Sequence, residues 1–137
     1  MGARTKARKR ALDVLYGADV RGDSINQVLA AEQSRADLEP QRSSSWEYGR
    51  QIVVGITAHG DEIDELIETY SQGWSLARMP VVDRALLRIG IWEILYNDAV
   101  PDSVAIAEAV ESARVHSTED SASFVNGLLG RVAASRA

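Results

Sequence analysis

Apolar residues recur three and four positions apart along almost the whole of this 137-residue chain, and no strand-like alternation competes with them. Ala7, Ala11, Val14, Leu15 and Ala18 draw one stripe, which predicts a first helix. Arg21-Gly22-Asp23 predicts a turn, after which Ser24 can cap a short helix bearing Ile25, Val28 and Leu29. The stretch from Gln33 to Ser45, with its charges, Pro40 and clustered serines, predicts the main flexible loop. From Trp46 a third stripe runs through Gly49, Ile52, Val53 and Ile56 to a stop near His59-Gly60. Ile63, Leu66, Ile67 and Tyr70 form a fourth, with Asp61, Asp64, Glu65 and Glu68 crowding its other side and Ser71 to Trp74 ending it.

Pro80 sits where a helix can begin, and Val81 to Tyr96 is apolar nearly all round, which predicts a central helix enclosed by others. Gly90 in its middle costs ~0.5–1 kcal/mol relative to alanine, so it predicts a second backbone passing close by. Pro101 breaks the chain again. Ile106, Ala109, Val110 and Ala113 mark a sixth helix, and Val125, Leu128, Leu129 and Val132 a seventh. The expected fold class is therefore all-α, a compact bundle of about seven helices forming one domain over residues 1–137.

Charge is distributed unevenly over those helices. Arg4, Lys6, Arg8, Lys9 and Arg10 give positions 1 to 10 a charge of +5, while the rest, with ten bases against twenty acids, carries −10. A polyanion would meet this protein at one end, where Lys and Arg can neutralise phosphates and release counterions. A basic opening is often a solvated tail or a targeting segment. Here it runs into the first helical stripe without Gly or Pro, and Lys6, Lys9 and Arg10 share the face opposite the apolar residues, with Tyr16 at its edge. It lacks the apolar run of a secretory signal and the serine richness of a transit peptide, so it reads as the mature N-terminus.

Other functions are disfavoured by what the chain contains. No cysteine is present, which removes disulfides, zinc-thiolate sites and thiol catalysis and is compatible with a reducing cytosol. The most apolar stretch, Ala85 to Tyr96, is interrupted by Arg88, Gly90 and Glu93 and is too short to cross a bilayer. There is no phosphate-cradling glycine loop, nucleophile elbow or His-Glu-x-x-His zinc motif. His59 and His116 are isolated, the acids from Asp61 to Glu68 read as a solvated helix face, and Arg84 and Arg88 read as partners for carboxylates within the fold.

One stripe leaves a remainder. Asn126, Gly127 and Gly130 face away from Val125, Leu128 and Val132, so these weak helix formers expose backbone instead of filling the core. Beside them Phe124 has two readings: a core anchor with the glycines marking a close helix contact, or a stacking platform for a base whose edge Asn126 can pair.

Four segments, in order, resemble the transcription antitermination factor NusB family: Arg4 to Leu12 running to Leu15-Tyr16; Val82 to Ile89 with Trp92-Glu93-Ile94; Val100-Pro101 through Val104 to Val110; and Glu119-Asp120-Ser121 followed by Phe124-Val125-Asn126-Gly127-Leu128-Leu129. Only Ser24 to Ser45 matches poorly, as a loop would. The resemblance implies a non-enzymatic RNA-binding protein of two packed helical bundles, with no cofactor or metal. It further implies that a heterodimer with the ribosomal protein NusE holds boxA-type single-stranded RNA and joins the antitermination assembly on RNA polymerase, particularly on ribosomal RNA operons.

Carried over by residue, the resemblance has Arg4, Lys6, Arg8, Lys9 and Arg10 contact RNA phosphates. Tyr16, Phe124 and Asp120 lie at or near the RNA surface, Asn126 makes a polar contact, and Asp83 faces NusE. Ser123 stands where some relatives have Lys just before the aromatic, which removes one positive charge from that contact. Some members self-associate in a form that covers the RNA surface. The same helical fold also opens certain ribosomal RNA cytosine methyltransferases, but no cofactor-binding domain follows here. Two functions outside the family remain as alternatives: a helix-turn-helix DNA binder, which would want its cations on a second helix after a short turn, and a helical adaptor, which would leave the basic end idle.

Overall fold

The alanine-rich stripe of the first segment becomes α1 (Ala3–Arg21). The structure is a computed structural model; it describes residues 2–136, the side chain of Arg42 excepted. Those residues form seven α-helices and one 3-10 turn, with no strand among them, and the chain divides into two helical units, 1–58 and 59–137. No helix among the described residues is long and apolar enough to cross a membrane.

In the first unit α1 packs on both α2 (Ile25–Leu38) and α3 (Pro40–Ala58). α1 ends at Gly22, whose φ of 71° is the left-handed conformation that only glycine adopts without strain. Ser24 then caps α2 reciprocally: its hydroxyl accepts from the Gln27 N–H at 3.1 Å, and the Gln27 side chain accepts from the Ser24 N–H at 3.3 Å. Close approach of α3 to α1 depends on Gly49, where a Cβ would lie 3.0 Å from the Ala7 carbonyl oxygen.

The flexible loop expected from Gln33 to Ser45 is corrected by the structure. α2 continues through Leu38 and α3 starts at Pro40, leaving Glu39 alone between them. Pro40 occupies the first helical position, where its missing N–H costs nothing. Ser34, Arg35, Asp37, Ser43 and Ser44 lie on the solvent faces of two helices while Ser45 is buried, and the joint is tied by the Trp46 indole N–H donating to Gln33 Oε1 at 2.8 Å. Composition alone misled because a polar helix surface and a loop contain the same residues.

In the second unit α4 (Gly60–Tyr70), α6 (Asp102–His116) and α7 (Glu119–Ser135) all contact α5 (Val81–Tyr96). Ten of the sixteen residues of α5 are buried, as its all-round apolar pattern requires. Gly90 is there for a different reason from the one its sequence context predicts. A Cβ would lie 2.7 Å from Leu129 Cδ1, so the glycine admits a side chain of α7 and not another backbone. Arg88 forks onto Asp64 with bonds of 2.9 and 3.2 Å, while Arg84 donates to the carbonyl of Leu76 at 3.2 Å and braces the 3-10 turn Leu76–Arg78.

His59 stacks on Tyr96 with ring centroids 3.8 Å apart, and the Tyr96 hydroxyl donates to Glu62 Oε2 at 2.5 Å. Donation to a carboxylate, helped by burial and the nearby negative charge, favours the neutral phenol and pushes its pKa from 10.0 up to about 12. A raised pKa on an acid contributes stability that is present below pH 10 and is lost as pH rises through about 12. In difference absorbance titrations of the parent against Tyr96→Phe, the missing phenol should ionise near pH 12, and Glu62→Gln should return it towards 10. A Tyr96 transition that ignores Glu62→Gln would discredit the hydrogen bond as its cause.

Candidate nucleic-acid interface

α1 begins under an electrostatic handicap. Its first turn has no acid and its N-cap, Gly2, makes no side-chain hydrogen bond, yet Arg4 and Lys6 sit where the helix dipole already presents positive charge. Packing of Ala7, Ala11, Val14 and Leu15 holds the helix together regardless, and an anion arriving at this end would relieve the repulsion.

The five cations do not act alike. Lys6 and Lys9 are exposed and share one face with Asp13, Tyr16 and Val20, at spacings of three and four. Lys9 pairs with Asp13 at 2.6 Å, but both side chains are about half exposed, so the pair contributes only ~0–1 kcal/mol. Arg4 lies 5.2 Å from the Tyr48 ring centre of α3. Arg8 is partly buried. Arg10 Nε donates to Ser45 at 2.8 Å and ties α1 to α3, so its first role is structural. Tyr16, 44% exposed, forms the rim of a groove between α1 and α2 that Val20, Gln27 and Val28 also line.

On the second unit the relevant helix is α7. Thr118 caps it, its hydroxyl accepting from the Ser121 N–H at 2.9 Å, while Val125, Leu128, Leu129 and Val132 are wholly buried. Opposite them, Asp120, Ser123, Asn126 and Gly130 are exposed. Phe124 and Asn126, two residues apart, project to opposite edges of this exposed face. Between those edges Ser123, Gly127 and Gly130 leave a strip of almost bare backbone. A Cβ on Gly130 would meet nothing within 4 Å, and one on Gly127 would meet only the Arg131 guanidinium at 3.3 Å, so close helix packing does not explain these glycines. Phe124 is half-buried and is not a core anchor; its ring lies 5.4 Å from that of Trp74, tilted by 34°.

Asp83 departs from the expected partner-facing role. Its side chain is only 2% exposed, and Oδ2 accepts from the Ser121 hydroxyl at 2.6 Å, linking the first turns of α5 and α7. In this conformation it offers no charge to a surface partner. The reason is its place in the first turn of α5, where the helix dipole and a neighbouring donor stabilise a buried carboxylate; Oδ1 has no hydrogen-bond partner among the described residues. Periodicity could not reveal this, because Ser121 is 38 residues away in sequence. Trp74, whose ring meets that of Phe124, is another exposed aromatic that periodicity does not single out. It stands in a turn, where an aromatic has no periodic neighbours to give its exposure away.

These surfaces belong to a sequence with many relatives. The profile of the NusB family matches residues 5–134. Transcription antitermination protein NusB of Clavibacter michiganensis subsp. michiganensis is 66% identical over 137 residues and covers 100% of both chains. That of Leifsonia xyli subsp. xyli is 65% identical over 133 residues, 97% of this chain and 92% of its own. Among solved structures, T. maritima NusB superimposes with a TM-score of 0.83 at 34% identity, covering 96% of this chain and 90% of that one. The complex of antitermination factors NusB and NusE with dsRNA contains a chain that superimposes with a TM-score of 0.84 at 26% identity, covering 98% of each. With a profile spanning nearly every residue and relatives two-thirds identical over their whole length, the chain belongs to the NusB family, that of the transcription antitermination proteins it is similar to.

Proposed function

We propose that the protein, acting as one RNA-binding domain over residues 1–137, holds boxA-type single-stranded RNA in partnership with ribosomal protein NusE and sustains transcription of ribosomal RNA operons. It is a binding protein and not an enzyme, and it works beside RNA polymerase in the cytoplasm. The observation that carries this reading is the α7 strip, bare backbone edged by Phe124 on one side and Asn126 on the other, in a chain alike over 98% of its length to one found with NusE and dsRNA. Division of labour follows from the chemistry. Lys6 and Lys9, with Arg4 beside them, neutralise phosphates and carry no sequence information, while Tyr16 lies on the same α1 face. Phe124 offers a ring for stacking, and Asn126 offers a donor and an acceptor to a base edge. Asp120, in the first turn of α7, borders that surface and repels misplaced phosphates. Self-association that covers either surface would compete with RNA.

Fluorescence anisotropy with boxA-type and scrambled RNA, each with and without NusE, tests the reading. Asn126→Ala should narrow the gap between the two RNAs with little change in melting temperature, since the side chain is exposed. Phe124→Ala should cost ~1–3 kcal/mol of affinity. Equal affinity of the parent for both RNAs, or a preference for duplex DNA, would refute the assignment.

A further inference from the structure

Trp74 is 54% exposed, whereas the other two tryptophans, Trp46 and Trp92, are 2% and 8% exposed. It is held out by a built turn and not by a loose one. Ser71, itself 3% exposed, is within hydrogen-bonding distance of the carbonyls of Glu68 at 3.1 Å and Trp74 at 2.5 Å. Gln72 takes a φ of 58° and Gly73 one of 98°, so a non-glycine residue is kept in the left-handed region to complete the bend. Arg131 of α7 donates from Nη2 to the Tyr70 carbonyl at 2.7 Å, fixing the end of α4 from which the turn springs. The backbone is thus arranged to present an aromatic to solvent, against the tendency of so large an apolar ring to be covered.

We propose that Trp74 and Phe124 together form a stacking platform for two unpaired RNA bases, with Trp74 as the second base-contacting aromatic. This rests on the RNA-binding reading above and extends it to a residue outside α7. Ring centroids 5.4 Å apart with a 34° tilt give two differently oriented faces, suited to successive bases splayed out of a helical stack. A cation adjoins them. The Arg131 guanidinium lies against Gly127, on the same edge of α7 as Phe124, with its Nε buried and its Nη2 held by the Tyr70 carbonyl, which fixes the charge beside the rings. Two aromatics beside an arginine make up the chemistry of a single-stranded nucleic-acid site, where bases stack and the positive charge faces the phosphates.

Trp74→Ala should weaken binding about 5- to 150-fold, alike for boxA-type and scrambled single-stranded RNA, because stacking tolerates any base. Its salt slope should match the parent's, since no charge is removed. Trp74→Phe should recover most of the loss. In the parent, saturating RNA should quench the indole emission and shield it from acrylamide, and Trp74→Phe should abolish that response because the remaining indoles are buried. The quenching measurement needs no destabilising variant. Parent emission indifferent to bound RNA, with Trp74→Ala binding at parental affinity, would overturn the platform while leaving the RNA reading intact. A parent that binds no RNA would end both. Should Trp74→Ala lose NusE retention but keep its RNA affinity, the ring is a protein contact and the proposal fails.

Discussion

Replacing Lys6 and Lys9 together with alanine is expected to weaken RNA binding about 25-fold at ~0.1 M salt and to flatten the dependence of log K on log salt by about 1.4. The figure comes from a slope of roughly 0.7 per neutralised phosphate on a single strand, taken for two phosphates from a ~1 M reference at which the electrostatic contribution vanishes. Both side chains are exposed, so the melting temperature should hardly move. Losing Lys9 also frees Asp13, whose carboxylate then repels phosphate and adds to the effect. Arg10→Ala makes the contrast: it removes the bond to Ser45, so it should lower the melting temperature while changing the salt slope less. An unchanged slope in the double variant would remove the α1 face from the RNA site.

Trp46→Ala should be among the most destabilising single changes in the first unit. The side chain is 2% exposed, and its indole N–H is satisfied by Gln33 at 2.8 Å. Truncation leaves a cavity and an unpaired amide together, for a loss of ~3–5 kcal/mol. That is a large part of the ~5–15 kcal/mol by which whole domains are stable. Circular dichroism on heating should show the variant melting much earlier, and protease should find the joint between α2 and α3 first. Trp46→Phe, which keeps most of the volume and loses the donor, should fall between. A Trp46→Ala variant as stable as the parent would mean that the Gln33 to Ser45 stretch owes its order to something other than this anchor.

Most of the architecture was legible because helical periodicity is a local signal. The stripes of α1, α3, α5 and α7 place Ala7, Ile52, Leu87 and Leu128 inside, and all four are buried. Ser24 and Gln27 announce the start of α2 by their spacing alone. The same local rule set Lys6, Lys9 and Arg10 opposite the apolar stripe with Tyr16 at the edge, of which Lys6, Lys9 and Tyr16 are exposed and Arg10 is half-buried, and it left the glycines of α7 off its core side. It failed between Gln33 and Ser45 because propensity and composition there describe a surface, and only the anchoring of Trp46 tells a surface helix from a loop.

The sequence by itself determined the all-helical class, the apolar face of nearly every helix and the concentration of positive charge at one end, since each follows from residues within a few positions of one another. Tertiary structure decided which polar groups those faces keep for themselves. Asp83 is buried on Ser121 and Arg10 is taken by Ser45, 38 and 35 residues away, while Phe124 finds neither core nor open solvent but the ring of Trp74. A side chain's own helix fixes its direction. What it meets there depends on chain segments brought close by folding, and no spacing rule reaches that far.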